Sequence, residues 1–197
     1  MISIFIYLAE YILGKIEYKY EILMKYLLRM TTVFPFFKSD SPFSNWWMTP
    51  LTGKDYQFIS SDGTKYICTE QWMMAEKARL FNDPISETKI MTATNPKEHK
   101  RLGRLVKNFK DDVWNQKCRQ IMYDGLLLKF SQHPIAKKAL IDTGNAIICE
   151  ASPYDGIWGV KLGPEDPRVL DPKQWKGTNF LGYELMNVRK TLTENKL

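Results

Sequence analysis

The sequence predicts a mainly α-helical α+β fold. Three observations carry this. Apolar residues recur at three- and four-residue spacing through several stretches; one alternating segment flanks an Asp62-Gly63 turn; and one short apolar run, Ala146 to Cys149, is bounded by turn signals. At 197 residues, one domain is the default. Hydrophobic content of 44%, with 13% aromatic and 25% charged residues, is ordinary for a chain that buries a full core. The net charge of +6, from 28 basic and 22 acidic residues, is a mild excess. It suits a phosphorylated ligand and is not diagnostic of nucleic acid.

Residues 1–29 carry apolar positions at Leu8, Ile12, Ile16, Tyr20, Leu23, Met24 and Leu27, which is helical spacing. Glu10 interrupts the first apolar run, leaving it too short to span a bilayer, so no transmembrane segment is expected. No basic residue precedes the run and no small-residue cleavage site follows, which argues against a signal peptide. The expectation is an amphipathic helix appended to a domain covering 30–197. Packing on that domain is favoured over self-association or contact with a membrane surface. Met30 is an alternative start.

From Thr31 to Pro50 the chain is rich in Phe, Trp, Pro and Ser, with no period. It reads as an aromatic entry loop carrying Phe43 to Trp47. Such loops pack as lids or line a pocket, which makes Asn45 a candidate substrate contact. Residues 56–68 read as the hairpin. Residues 69–81, TEQWMMAEKARLF, then read as a helix with Thr69 as N-cap and Glu70 suited to the positive end of the dipole. At ~100° per residue, Glu70 and Lys77 fall at ~0° and ~340°, among Met73, Met74 and Phe81. Gln71, Glu76 and Arg79 fall on the expected solvent side. Two charges in an apolar arc are either a structural salt bridge or reacting groups.

Asn95-Pro96-Lys97-Glu98 is a helix start. The helix carries a basic stripe of Lys97, Lys100, Arg101, Arg104 and Lys107, either a solvated face or a phosphate-docking one. Gly103 would allow close approach by a ligand or a neighbouring helix. Residues 111–130 form a further helix with Trp114, Cys118, Ile121, Met122 and Leu126 on one face. Trp114 in its first turn is either core or a ligand contact. Pro134 opens a short helix that Gly144 can end. The Ala146–Cys149 strand runs into Glu150, Asp155 and Trp158, a turn with a packed Trp or a strand-end acidic site. An Asn179-capped helix closes the chain, with Leu181, Leu185, Val188 and Leu192 inward. Cys68, Cys118 and Cys149 read as reduced, buried thiols in a reducing, cytoplasmic compartment. With two histidines and no CxxC or HExxH, neither a metal site nor a cofactor is expected.

Taken in order, FSNWW, TEQWMMAEK, LGR, DDVW, LLLKF, CEASPYDGIWG and GTNFLGYELMNVR resemble the NADAR, or YbiA-like, N-glycosidases over about residues 41–192. No single motif is decisive; their shared order and spacing is the signal. The resemblance implies a single, mainly helical α+β domain that hydrolyses an N-glycosidic bond on a ribose phosphate. The substrates it implies are the phosphoribosylamino-pyrimidine intermediates of riboflavin biosynthesis. Other members resemble enzymes removing ADP-ribose from guanine in nucleic acid. Matched motif by motif, the family's acidic residue falls on Glu70, its helix lysine on Lys77, its tryptophan after the basic helix on Trp114, and its acidic-loop pair on Asp155 and Trp158, with Glu150 at the strand end. The family's His after the glutamate is Gln71 here, and two glutamines before the lysine are Met74 and Glu76. These replacements bear on base specificity.

Two routes cleave an N-glycoside. A carboxylate can activate water against an oxocarbenium-like sugar. Alternatively the ribose opens to an imine and a lysine exchanges onto C1 as a Schiff base. The expectation takes Lys77 as nucleophile and Glu70 as proton shuttle, with Asp155 or Glu150 on ribose hydroxyls or water. Trp114 or Trp158 stacks on the base, and Arg104 holds the phosphate. A non-catalytic nucleotide or ADP-ribose binder is the competing class, but binding alone does not explain Glu70 and Lys77.

Overall fold

A computed structural model describes residues 32–48 and 57–194. The expected helix over 1–29 lies outside the described residues. Four strands are present: β1 (Val33–Phe36), β2 (Phe58–Ile59), β3 (Lys65–Tyr66) and β4 (Ile147–Glu150). The helices are α1 (Thr69–Leu80), α2 (Pro84–Thr92), α3 (Pro96–Gly103), α4 (Asp111–Gln132), α5 (Pro134–Asp142) and α6 (Phe180–Glu194). Two short 3₁₀ turns, Pro167–Leu170 and Pro172–Gln174, cross the segment before α6. The fold is mainly helical α+β, as expected, and no described helix is long and apolar enough to cross a membrane.

α1 is the centre of the domain, with α2, α3 and α4 packed around it. Its residues 69–75 and Ala78 are all buried, so the helix has no solvent face over its first two turns. This corrects the angular reading: Gln71 is buried, and its amide bridges the Ile67 N–H to the Ile90 and Met91 carbonyls. Glu76 and Arg79 are half-buried, and Arg79 also pairs with Glu87 and Tyr66. A Cβ on Gly103 would overlap Met74 Sδ, so this glycine admits α1 against α3. Similarly, Gly125 of α4 leaves room for Trp72, whose indole N–H donates to the Ile121 carbonyl at 2.7 Å.

The hairpin forms where expected, Phe58 facing Tyr66 across a turn in which Gly63 takes φ +84°. Cys118, Met122 and Leu126 of α4, and Leu181, Leu185, Val188 and Leu192 of α6, are buried as the periodicity requires. Gly144 ends the α5 turn at φ +54°. Cys68, Cys118 and Cys149 are free and buried. β1 was not legible as a strand. It pairs in parallel with β4, Val33 opposite Ile147 and Phe36 opposite Glu150. α2, capped by the Asp83 side chain on the Ser86 N–H, also carried too short a pattern. The basic helix ends at Gly103, so Lys107 lies beyond it, its N–H donating to Asp83.

Asn179 is not simply a helix cap. Wholly buried at φ +52°, it donates from Nδ2 to the Ile148 carbonyl and accepts the Glu150 N–H on Oδ1. One side chain thus fixes the end of β4 against α6. Asn179→Ala should lower stability by about 2–4 kcal/mol, from two stranded backbone groups and a left-handed residue that no longer suits its conformation. Urea unfolding reads the loss. Because β1 starts at Val33, a chain beginning at Met30 keeps every described element and should unfold at the midpoint of the full chain. A clear drop would make residues 1–29 part of the domain.

Candidate active site

The site begins where α1 begins. Its N-cap is Cys68, not Thr69: the Cys68 thiol accepts the Gln71 N–H at 3.4 Å. Thr69 turns instead to the aromatic loop, its hydroxyl donating to Asn45 Oδ1 at 3.2 Å. The Asn45 carbonyl accepts the Glu70 N–H at 2.9 Å, and the Trp46 indole N–H donates to Glu70 Oε2 at 3.3 Å. The loop therefore closes over the first turn and holds the Glu70 side chain, only 6% exposed. Burial pushes the Glu70 carboxyl up to about 7, reinforced by Asp155 and opposed by Lys100, Trp46 and Arg104.

A second carboxyl arrives from the other side of the fold. Glu150 ends β4, with Asn179 on its N–H and the Val160 N–H on its carbonyl. Its Oε2 is buried with no hydrogen-bond partner among the described residues. Burial pushes Glu150 up to about 7 as well, with Asp155 and Glu70 adding to the rise and Lys100 opposing it. Glu70 thus lies within electrostatic reach of Glu150, and Asp155 within reach of both. Asp155 is the third member. Its Oδ1 accepts the Ile157 and Trp158 N–H groups at 2.9 and 2.8 Å, so it builds the turn and also faces the carboxyl pair.

Lys77 lies two turns along α1 from Glu70, a rise of ~10 Å. Among the described residues, no hydrogen bond or ion pair joins the two. The Lys77 ammonium sits 4.1 Å from the Phe109 ring centre and 5.4 Å from that of Trp114. Half-burial lowers its pKa, with Asp111 opposing. The structural salt bridge allowed by the sequence is therefore not formed. Arg104 closes α3 on the exposed side, near enough to Glu70 to favour its anion. Trp158 packs edge-on against Phe180, 6.1 Å between centres, as a wall held by the core. Asn45 holds the loop through Thr69.

Sequence reasoning passed over two residues here. Trp46 was read within its loop without a role, yet it is the donor on Glu70. Lys100 was read as one of five stripe residues, yet it is the cation that acts on both glutamates, with its ammonium 6.0 Å from the Trp46 ring centre. The one-turn spacing of Lys100 and Arg104 was the available signal. Arg101, by contrast, turns away to Glu98.

The chain is similar to several known proteins. A family model described as the NADAR domain matches residues 35–193. The chain is 40% identical over 148 residues to N-glycosidase R617 of Acanthamoeba polyphaga mimivirus, covering 75% of this chain and 85% of that one. It is 32% identical over 105 residues to the riboflavin biosynthesis protein PYRR, chloroplastic, of Arabidopsis thaliana, covering 51% of this chain and 16% of the relative. The NMR structure of the E. coli protein YbiA superposes with a TM-score of 0.65 at 25% identity, covering 86% of this chain and 92% of that one.

A carboxyl whose folded pKa is about 7 against an ordinary 4.5 holds its proton more tightly when folded. Its contribution to stability is full below the ordinary value and is lost as pH rises through 7. Glu70→Gln removes that loss. The variant should outlast the native protein at pH 8, by up to about 3 kcal/mol, with the gap closing below pH 5. Thermal melts across that range check it. Asp155→Asn keeps an oxygen for the Ile157 and Trp158 N–H groups and should fold normally. A loss of most turnover is expected; near-normal turnover would reduce Asp155 to its turn.

Proposed function

Because the chain belongs to the NADAR domain family, and is thereby an N-glycosidase, we propose that the bond it hydrolyses joins ribose phosphate to an aminopyrimidine of the riboflavin pathway. The observation that carries the reading is the pairing, on one helix, of a buried carboxyl pushed up to about 7 with a lysine whose pKa is lowered. The similarity to PYRR, a riboflavin biosynthesis protein, supports the substrate class.

Ring opening moves a proton from the 1-amino nitrogen to the ring oxygen and gives a C1=N imine. Glu70, holding a proton near neutral pH, protonates the imine nitrogen. The neutral Lys77 amine adds to C1, and a proton passes from the lysine nitrogen to the pyrimidine nitrogen. The C1–N bond to the pyrimidine then breaks, and the free amine leaves. Water adds to the protonated lysyl imine, guided by Glu150 or Asp155; collapse of the carbinolamine releases ribose 5-phosphate and the neutral Lys77 amine, and the proton liberated returns to Glu70. Desolvation favours the neutral amine this route needs. The long stems of Lys77 and Glu70 allow both groups to reach one carbon held between them. Trp114, beside Lys77, would stack on the base, and Arg104 on the exposed rim would take the phosphate.

A second reading, removal of ADP-ribose from guanine in nucleic acid, is favoured by the rim. Phe109 beside Lys77, and Tyr154 and Ile157 on the acidic loop, are exposed apolar side chains at 37%, 90% and 60%. The exposed Arg104, Lys107 and Lys110 are near Phe109 in the chain. Steep loss of turnover with salt would favour this polyanionic substrate; flat dependence favours the small one.

Incubation with the phosphoribosylamino-pyrimidines should release ribose 5-phosphate. Borohydride added during turnover should leave a ribose-phosphate-sized mass on the peptide carrying Lys77. Lys77→Met should fold as well as the native protein and lose nearly all turnover. Turnover without an adduct, retained in Lys77→Met, would return the chemistry to water attack led by Glu70.

A further inference from the structure

Lys129 is the most buried cation among the described residues, 3% exposed and in the last turn of α4 beside the core residue Phe130. No step above uses it. Its ammonium donates to the Ser44 carbonyl at 3.0 Å and lies 5.1 and 5.2 Å from the Trp47 and Phe130 ring centres. The groups around it are the Cys68 thiol and His133. Burying an amine this deeply costs several kcal/mol unless it holds something. What it holds is the aromatic loop. Ser44 anchors that loop from behind, its carbonyl also accepting the Trp47 N–H and its Oγ the Trp46 N–H. The next two residues meet α1 from in front, through the Asn45 carbonyl on the Glu70 N–H and the Trp46 indole on the Glu70 carboxyl.

We propose that Lys129 is a positioning residue for Glu70. Through the Ser44 carbonyl it fixes the loop that presents the Trp46 indole to the carboxyl. The role rests on the reading of Glu70 as the working carboxyl, but the contact it maintains can be tested without turnover. Burial alone would raise Glu70 further; Lys100, the Trp46 hydrogen bond and Arg104 restrain it, and Asp155 pushes the other way. Losing the loop therefore loses one restraining bond.

The test is a ¹³C NMR titration of the Glu70 carboxyl, assigned by its disappearance in Glu70→Gln. Trp46→Phe removes the donor directly and should raise the Glu70 midpoint by about 0.7 pH unit. Lys129→Met keeps the bulk and removes the bond. It should raise the midpoint by a similar amount, and the double variant should match either single one. Lys129→Gln restores a donor and should return the midpoint toward the native value; it also serves if the Met variant fails to fold. A Glu70 midpoint unmoved in Lys129→Met while Trp46→Phe shifts it overturns the proposal, as do additive shifts in the double variant. If these shifts appear but Glu70→Gln retains native turnover, the positioning contact stands and the catalytic reading of Glu70 falls.

Discussion

Burial of the Glu70 carboxyl in the first turn of α1 is the constraint on which the rest of the site depends. A helix start is favourable for a carboxylate, but this one is enclosed by the aromatic loop, α3 and the end of β4. Desolvation outweighs the dipole and the nearby cations, and the group is held near half-protonation at neutral pH. Lys100, Trp46 and Arg104 keep it from becoming permanently neutral, while burial and Asp155 keep it from becoming permanently ionised. Such an opposed environment suits the proton-carrying role proposed for Glu70.

The fold serves that balance from several directions. The parallel β1–β4 pair and Asn179 bring Glu150 to the site from a part of the chain far from α1. Gly103 lets α3 approach α1 closely enough for Lys100 and Arg104 to act on the carboxyls. The aromatic loop closes the remaining side. At the opposite end of the same helix, Phe109 and Trp114 shelter Lys77, with no anionic partner in hydrogen-bond contact among the described residues. The separation of acid and amine by two helical turns prevents the salt bridge that would have kept the lysine charged.

Much of this was legible in the sequence, for physical reasons that also mark where legibility ends. The helices α3, α4 and α6 announce themselves through caps and apolar period, and Glu70 and Lys77 stand out as charges out of place. Gln71 departs from its expected solvent position because the first two turns of α1 are enclosed, and a helix stretch without a solvent face has no phase to read. β1 was hidden because four residues containing Pro35 gain strand character only from a partner at 147–150. Asn179 looked like a cap because its link to β4 is tertiary. Lys100 was hidden in a stripe whose members prove unequal once α3 is docked.

The proposed chemistry requires Lys77 to form an imine with C1 of ribose phosphate, which is at the aldehyde oxidation level. Its most direct test needs no knowledge of the departing base. Ribose 5-phosphate incubated with the protein in ¹⁸O-water should exchange its C1 oxygen through that imine, as read by mass spectrometry. The account predicts exchange well above the uncatalysed rate with the native chain and none above it with Lys77→Met. Exchange at the uncatalysed rate with a native chain that still cleaves its N-glycoside would contradict it.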